Sequence, residues 1–79
     1  MRLDKFLKVS RLIKRRTVAN EACDSGRIRV NGRVVKASYE VKAGDKLEIA
    51  LGTRVLAVEV LEVADNVRKD DAAGMYREL

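Results

Sequence analysis

Residues 1–32 read MRLDKFLKVSRLIKRRTVANEACDSGRIRVNG, and the spacing of their apolar side chains constrains the rest of the chain. Leu3, Phe6 and Leu7, then Leu12 and Ile13, recur at steps of three and four, the period of a helix with one buried face. Val18, Ala19, Ala22 and Cys23 repeat that spacing, and Gly26 stands where a helix-ending glycine belongs. The pattern predicts helices over roughly 3–10 and 16–25. Thr17 is the expected cap of the second, and Leu12 and Ile13 pin the turn between them.

Beyond the helices the period changes to two. Ile28 and Val30 alternate with Arg27 and Arg29, and Asn31-Gly32 is a strong hairpin signal because both residues tolerate positive φ. Arg33–Lys36 leave that turn, Val41 anchors an irregular stretch, and Gly44-Asp45 turns again. Strand Lys46–Leu51 places Leu47, Ile49 and Leu51 on one face, and Gly52-Thr53 sends the chain back along Arg54–Val63. Glu59 and Glu62 are three apart, so strict alternation cannot expose both; a bulge or an edge position is expected near Val60-Leu61. From Ala64 the chain is polar, and DDAAGMYREL is expected either to form a short helix docked by Met75 and Leu79 or to fray. The expected architecture is α+β, two N-terminal helices on a small twisted, mostly antiparallel sheet. It divides into a domain over 1–64 and a polar segment over 65–79.

Charge is distributed unevenly. Residues 1–36 hold 11 Lys and Arg against 3 acids, a net of +8, whereas residues 37–79 carry −3; the whole chain is +5. Seven of the cations, Arg2, Lys5, Lys8, Arg11, Lys14, Arg15 and Arg16, lie in the first sixteen residues beside a single acid, Asp4. Arg27, Arg29 and Arg33 extend the patch along the hairpin. Such clustering marks a polyanion-binding surface rather than an evenly solvated one. If about four to six phosphates are contacted, log–log salt dependence should have a slope of roughly −3 to −5. Only Phe6, Tyr39 and Tyr76 are aromatic. With so few stacking platforms, a structured nucleic acid read through its backbone and shape is the expected partner.

Other classes are disfavoured. The chain has no His and one Cys, which removes intrachain disulfides, ordinary zinc sites and the usual general base. Cys23 falls on an apolar stripe and reads as a small buried hydrophobe. Phosphate-cradling glycine motifs and a serine nucleophile with a base beside it are missing; no enzyme activity and no cofactor are expected. No apolar run approaches the ~18 residues of a membrane span, and the N-terminus is charged at once, so a cytoplasmic protein is expected. No surplus apolar stripe argues for self-association, and a monomer is the default. Two competing readings are a basic helix-turn-helix-like DNA-binding module and a module docking an acidic protein.

The motifs together resemble a known family. R-L-D-x-F-L at 2–7, R-R-x-x-A at 15–19, G-R-I-x-V-N-G at 26–32 and V-x-x-G-D-x-L at 41–47 resemble, in order and spacing, the RNA-binding domain named after ribosomal small-subunit protein S-four, also called the alpha-L motif. That resemblance implies two helices presenting a basic surface to structured RNA, with Arg2, Arg15 and Arg16 as first contacts. Leu3 and Ala19 would lie in the core and Gly32 in the turn. One departure is Arg15, where the family often has Ser opening the second helix. The opening seventeen residues and K-A-S at 36–38 look most like stand-alone ribosome-associated quality-control members of the family. This implies as partners a large ribosomal subunit (through its rRNA), peptidyl-tRNA, and a tRNA-recruiting quality-control protein, during alanine tailing of a stalled nascent chain. On this reading Arg16→Glu would abolish subunit association and leave the fold intact.

Overall fold

The computed structural model describes residues 1–79. Helix α1 spans Leu3–Val9 and helix α2 Arg16–Asp24. The strands are β1 (Ile28–Val30), β2 (Arg33–Val34), β3 (Lys46–Leu51), β4 (Arg54–Val60) and β5 (Tyr76–Glu78), with a 3₁₀ helix over Lys69–Met75. All pairings are antiparallel, in the order β2-β1-β3-β4-β5. No helix is long and apolar enough to cross a membrane.

Leu3, Phe6 and Leu7 of α1 and Ala19, Ala22 and Cys23 of α2 are buried in one cluster with Ile28, Val30, Leu47, Ile49, Val58 and Val60 of the sheet. Register builds that floor: Val30 faces Leu47, which faces Val58, while Ile28 faces Ile49 and then Leu56. Such cross-strand rows are the unit of sheet stabilisation. Val18 is exposed on α2 rather than buried with its neighbours. Leu51 is also exposed, because β1 ends opposite Ile49 and leaves Leu51 with β4 alone beside it.

The helix ends explain the compact entry to the sheet. Gly26 at φ 83° lets its N–H reach the Cys23 carbonyl at 3.1 Å and the next N–H reach Ala22 at 2.9 Å, satisfying carbonyls the helix leaves open. A Cβ at Gly26 would meet only the Val34 side chain at 3.8 Å, so the cost of Gly26→Ala is conformational. It is expected to be about 1 kcal/mol, a fall in melting temperature of roughly 4–8 °C; an unchanged melting curve would refute this account of the stop. Asn31 (φ 52°) and Gly32 (φ 84°) make the two-residue hairpin turn. Asn31 also accepts from the Lys46 N–H at 3.0 Å and donates to Asp45 at 3.1 Å, tying the hairpin to the next turn. Asp45 is nearly buried and takes two more donors, the Tyr39 hydroxyl at 3.1 Å and the Lys42 N–H at 3.0 Å.

The last fifteen residues fold back on the sheet. β4 ends at Val60, and the N–H groups of Leu61 and Glu62 both donate to the Met75 carbonyl, at 2.8 and 3.2 Å. Two successive donors facing one acceptor are the hydrogen-bond signature of the expected bulge. Met75 is buried, but Tyr76–Glu78 form a fifth strand against Val58–Val60 instead of the short helix or frayed end anticipated for them. Leu79 stays exposed; its N–H continues the ladder to Ala57 at 2.9 Å.

Candidate nucleic-acid interface

The residue that organises the basic surface is an acid. Asp4 is buried at the start of α1, where its carboxylate accepts from the Lys5 N–H at 2.8 Å. It also takes Arg2 Nε at 3.2 Å, Asn20 Nδ2 of α2 at 3.1 Å, and lies 3.5 Å from Arg16 Nε. Burial alone would push its pKa up. The hydrogen bonds from Asn20, Arg2 and Arg16, with the charge of Arg16, outweigh burial and hold the carboxyl below its ordinary value. Asp4 therefore clamps α1 to α2 and draws two half-exposed guanidiniums to one spot. Arginine suits this double task because its planar fork can bond the carboxylate on one edge and keep N–H groups free on the other.

Arg15 sits next to that pair. Its backbone is extended (φ −117°, ψ 131°), its carbonyl accepts the first helical bond from Ala19 at 3.0 Å, and no side chain caps α2. Thr17 is thus already inside the first turn and is not the cap. With Arg in the place where a capping serine is common, the N-terminal N–H groups of α2 remain open beside Arg15 and Arg16, and the positive end of the helix adds to their charge.

Lys8, Arg11 and Lys14 belong to a second group. They line an open groove of about 930 Å³ along the α1–α2 turn. Arg11 holds φ 65°, a left-handed conformation costly for a residue with a Cβ, and its N–H bonds the Lys8 carbonyl at 3.1 Å. Ile13, nearly buried, anchors the same turn through its N–H to Leu7 at 3.0 Å. An arginine kept where glycine would be at ease is backbone strain on the candidate surface. Arg11→Gly is expected to stabilise the fold by about 0.5 kcal/mol while weakening polyanion binding. Urea melts and a salt-dependent binding series test this, and a loss of stability above ~1 kcal/mol would overturn it.

The remaining expected contacts are dispersed. Lys5 is spent on Asp65, whose carboxylate lies 2.9 Å from Nζ. Arg27 and Arg29 line a separate recess with Glu48, the direct cross-strand neighbour of Arg29. Arg33 is exposed at the start of β2 and lines none of the recesses. The structure thus unites Arg2 with Arg16 and Lys8 with Arg11 and Lys14, and leaves the hairpin cations apart. Sequence reasoning did not find Asp4 and Asn20 as the clamp. The signal available was one acid among seven cations. Cys23 is buried, as expected; burial first, then the charges of Asp4 and Asp24, push its thiol up to about 12.

The fold and this arrangement define the class. The S4 domain family matches residues 1–47, and the chain belongs to the S4 domain family. Among its relatives, the RQC P-site tRNA stabilizing factor of Streptococcus pneumoniae (strain ATCC BAA-255 / R6) is 59% identical over 76 residues, covering 96% of this chain and 86% of that one. The factor of the same name from Bacillus subtilis (strain 168) is 57% identical over 76 residues, covering 96% and 88%. Among solved structures, heat shock protein 15 of Vibrio cholerae, solved as a trimer, superposes with a TM-score of 0.93 at 29% identity, over all of this chain and 81% of that one.

Proposed function

We propose that this chain is an RNA-binding factor of ribosome-associated quality control. It binds rRNA and tRNA on large ribosomal subunits that carry peptidyl-tRNA, and supports alanine tailing of the stalled chain with a tRNA-recruiting protein. Its work is positional: residues of the 1–64 domain hold tRNA and subunit in register, in the cytoplasm, as a monomer, and no bond is made or broken. The observation that carries this reading is the Asp4 clamp, which holds Arg2 and Arg16 together on the outer surface of the helix pair. Arg15 and the uncapped end of α2 lie beside it. The names borne by relatives at 57–59% identity support the ribosomal setting.

A recognition helix inserted into duplex DNA is poorly served by α2. Its exposed positions include Glu21 and Asp24, and Asn20 is tied to Asp4; carboxylates facing phosphates oppose binding. The test is sucrose-gradient co-sedimentation with separated subunits across a salt series. Co-migration with large subunits, increased when they carry tRNA and lost steeply with salt, is expected. Equal binding to small subunits, or retention on duplex DNA in preference to folded RNA, would overturn the reading.

A further inference from the structure

The groove beside the α1–α2 turn has two walls from distant parts of the chain. One carries Lys8, Arg11 and Lys14, within the region matched by the S4 domain. The other carries Arg68 and Lys69, beyond that region and outside the basic half of the sequence. We propose that Arg68 and Lys69 complete a second nucleic-acid site, in which this groove takes a ribose-phosphate backbone separately from the Arg2–Arg16 surface. The proposal rests on the RNA-binding reading and deepens it, since a chain holding two RNAs in register needs two places to grip.

Three observations carry it. First, charge: the groove has five cations and one acid, Asp65, and that acid is engaged by Lys5. None of the five cations takes part in an ion pair within the chain. Five unneutralised cations converging from two walls are opposed by one another unless a polyanion enters. Second, the far wall is built, not trailing. Val67 packs against the core, the Arg68 carbonyl accepts from Asp71 at 2.9 Å and Ala72 at 3.1 Å, and Ala72 and Met75 are buried. The Lys5–Asp65 bridge ties the same wall back to α1. Third, separation: the recess around Asp4 and Arg16 shares no residue with this groove.

The lining also selects the occupant. Val9 and Val67 are its only apolar members. A peptide interface draws its affinity from desolvated apolar anchors, whereas a phosphate backbone needs positioned cations and little else. The site therefore fits a nucleic-acid backbone better than an acidic protein segment.

The experiment is filter binding of the full chain to purified tRNA and to large-subunit rRNA across a salt series. Arg68→Ala with Lys69→Ala is compared with Arg16→Gln and with a charge-matched control, Lys42→Ala with Arg54→Ala. Losing two phosphate contacts should flatten the log–log salt slope by roughly 1.8 and lower affinity for at least one RNA about tenfold or more, with the control within about twofold of the parent. If the alanine pair melts early, Arg68→Gln with Lys69→Gln retains the stems and should give the same loss. A parental slope and affinity in the Arg68/Lys69 variants would sink the groove proposal while leaving the RNA reading standing. So would an equal loss in the control, or a selective loss of binding to a poly-glutamate peptide. Absence of RNA binding by the parent chain would remove both together.

Discussion

Asp4→Ala is expected to lower the free energy of unfolding by about 3 kcal/mol, enough to drop the melting temperature of so small a domain by roughly 12–24 °C. The side chain is almost wholly buried and receives one backbone, one amide and two guanidinium donors. Hydrogen bonds to a charged group contribute about 1.5–3 kcal/mol each when both partners are buried. Here Arg2 and Arg16 are half in solvent, so their share is discounted, and the contacts act as one network whose parts do not add. Removal also leaves the Asn20 amide without its acceptor and two guanidiniums facing each other.

The effect has a pH signature. The folded carboxyl titrates below its ordinary value of 3.8. The unfolded chain therefore binds the proton first as pH falls, and the clamp's contribution is complete above that ordinary value and lost as pH drops through the lower folded one. Urea melts of the parent and of Asp4→Asn should differ most at neutral pH and draw together as the pH falls below the ordinary carboxylate value. A gap that does not close on acidification, or an alanine variant within ~1 kcal/mol of the parent, would show that Asp4 is not the clamp.

Arg16→Gln is expected to cost about 30- to 160-fold in affinity for large subunits, the loss of one well-placed charged contact of roughly 2–3 kcal/mol, with less than ~1 kcal/mol of stability lost. Glutamine keeps a donor near Asp4 and removes the charge. Arg16→Glu, which from sequence alone was expected to be neutral for the fold, is not a clean probe. It sets a second carboxylate beside the buried Asp4 carboxylate, so it should unfold more readily as well as fail to bind. Co-sedimentation read beside thermal melts separates the two effects. Parental affinity in Arg16→Gln would mean that the guanidinium serves Asp4 alone.

The helix pair was legible because amphipathic spacing reports burial directly: Phe6, Leu7, Ala19 and Cys23 are all in the core the period implied. The hairpin was legible because Asn31-Gly32 has few other uses. β5 was not, because an edge strand of three residues, two of them exposed, leaves no alternation to detect. Its partner β4 chose it through backbone bonds that any sequence can make. Capping of α2 was misread for a related reason: Thr17 has the right chemistry, but the helix begins where the chain stops being extended, at Arg15.

By itself the sequence determined the fold class, most of each buried face, the turns and the sign of the surface, because composition and period are local properties of the chain; Val18 and Leu51 continue the apolar period yet lie exposed. Tertiary structure decided which charges act together. Arg2 and Arg16 meet through a carboxylate that only packing of α1 on α2 could bury, and Arg68 and Lys69 reach the α1–α2 turn only because the chain's end folds back beside it. Electrostatic interaction depends on distance and on the dielectric around each charge, and neither is set until the chain has folded.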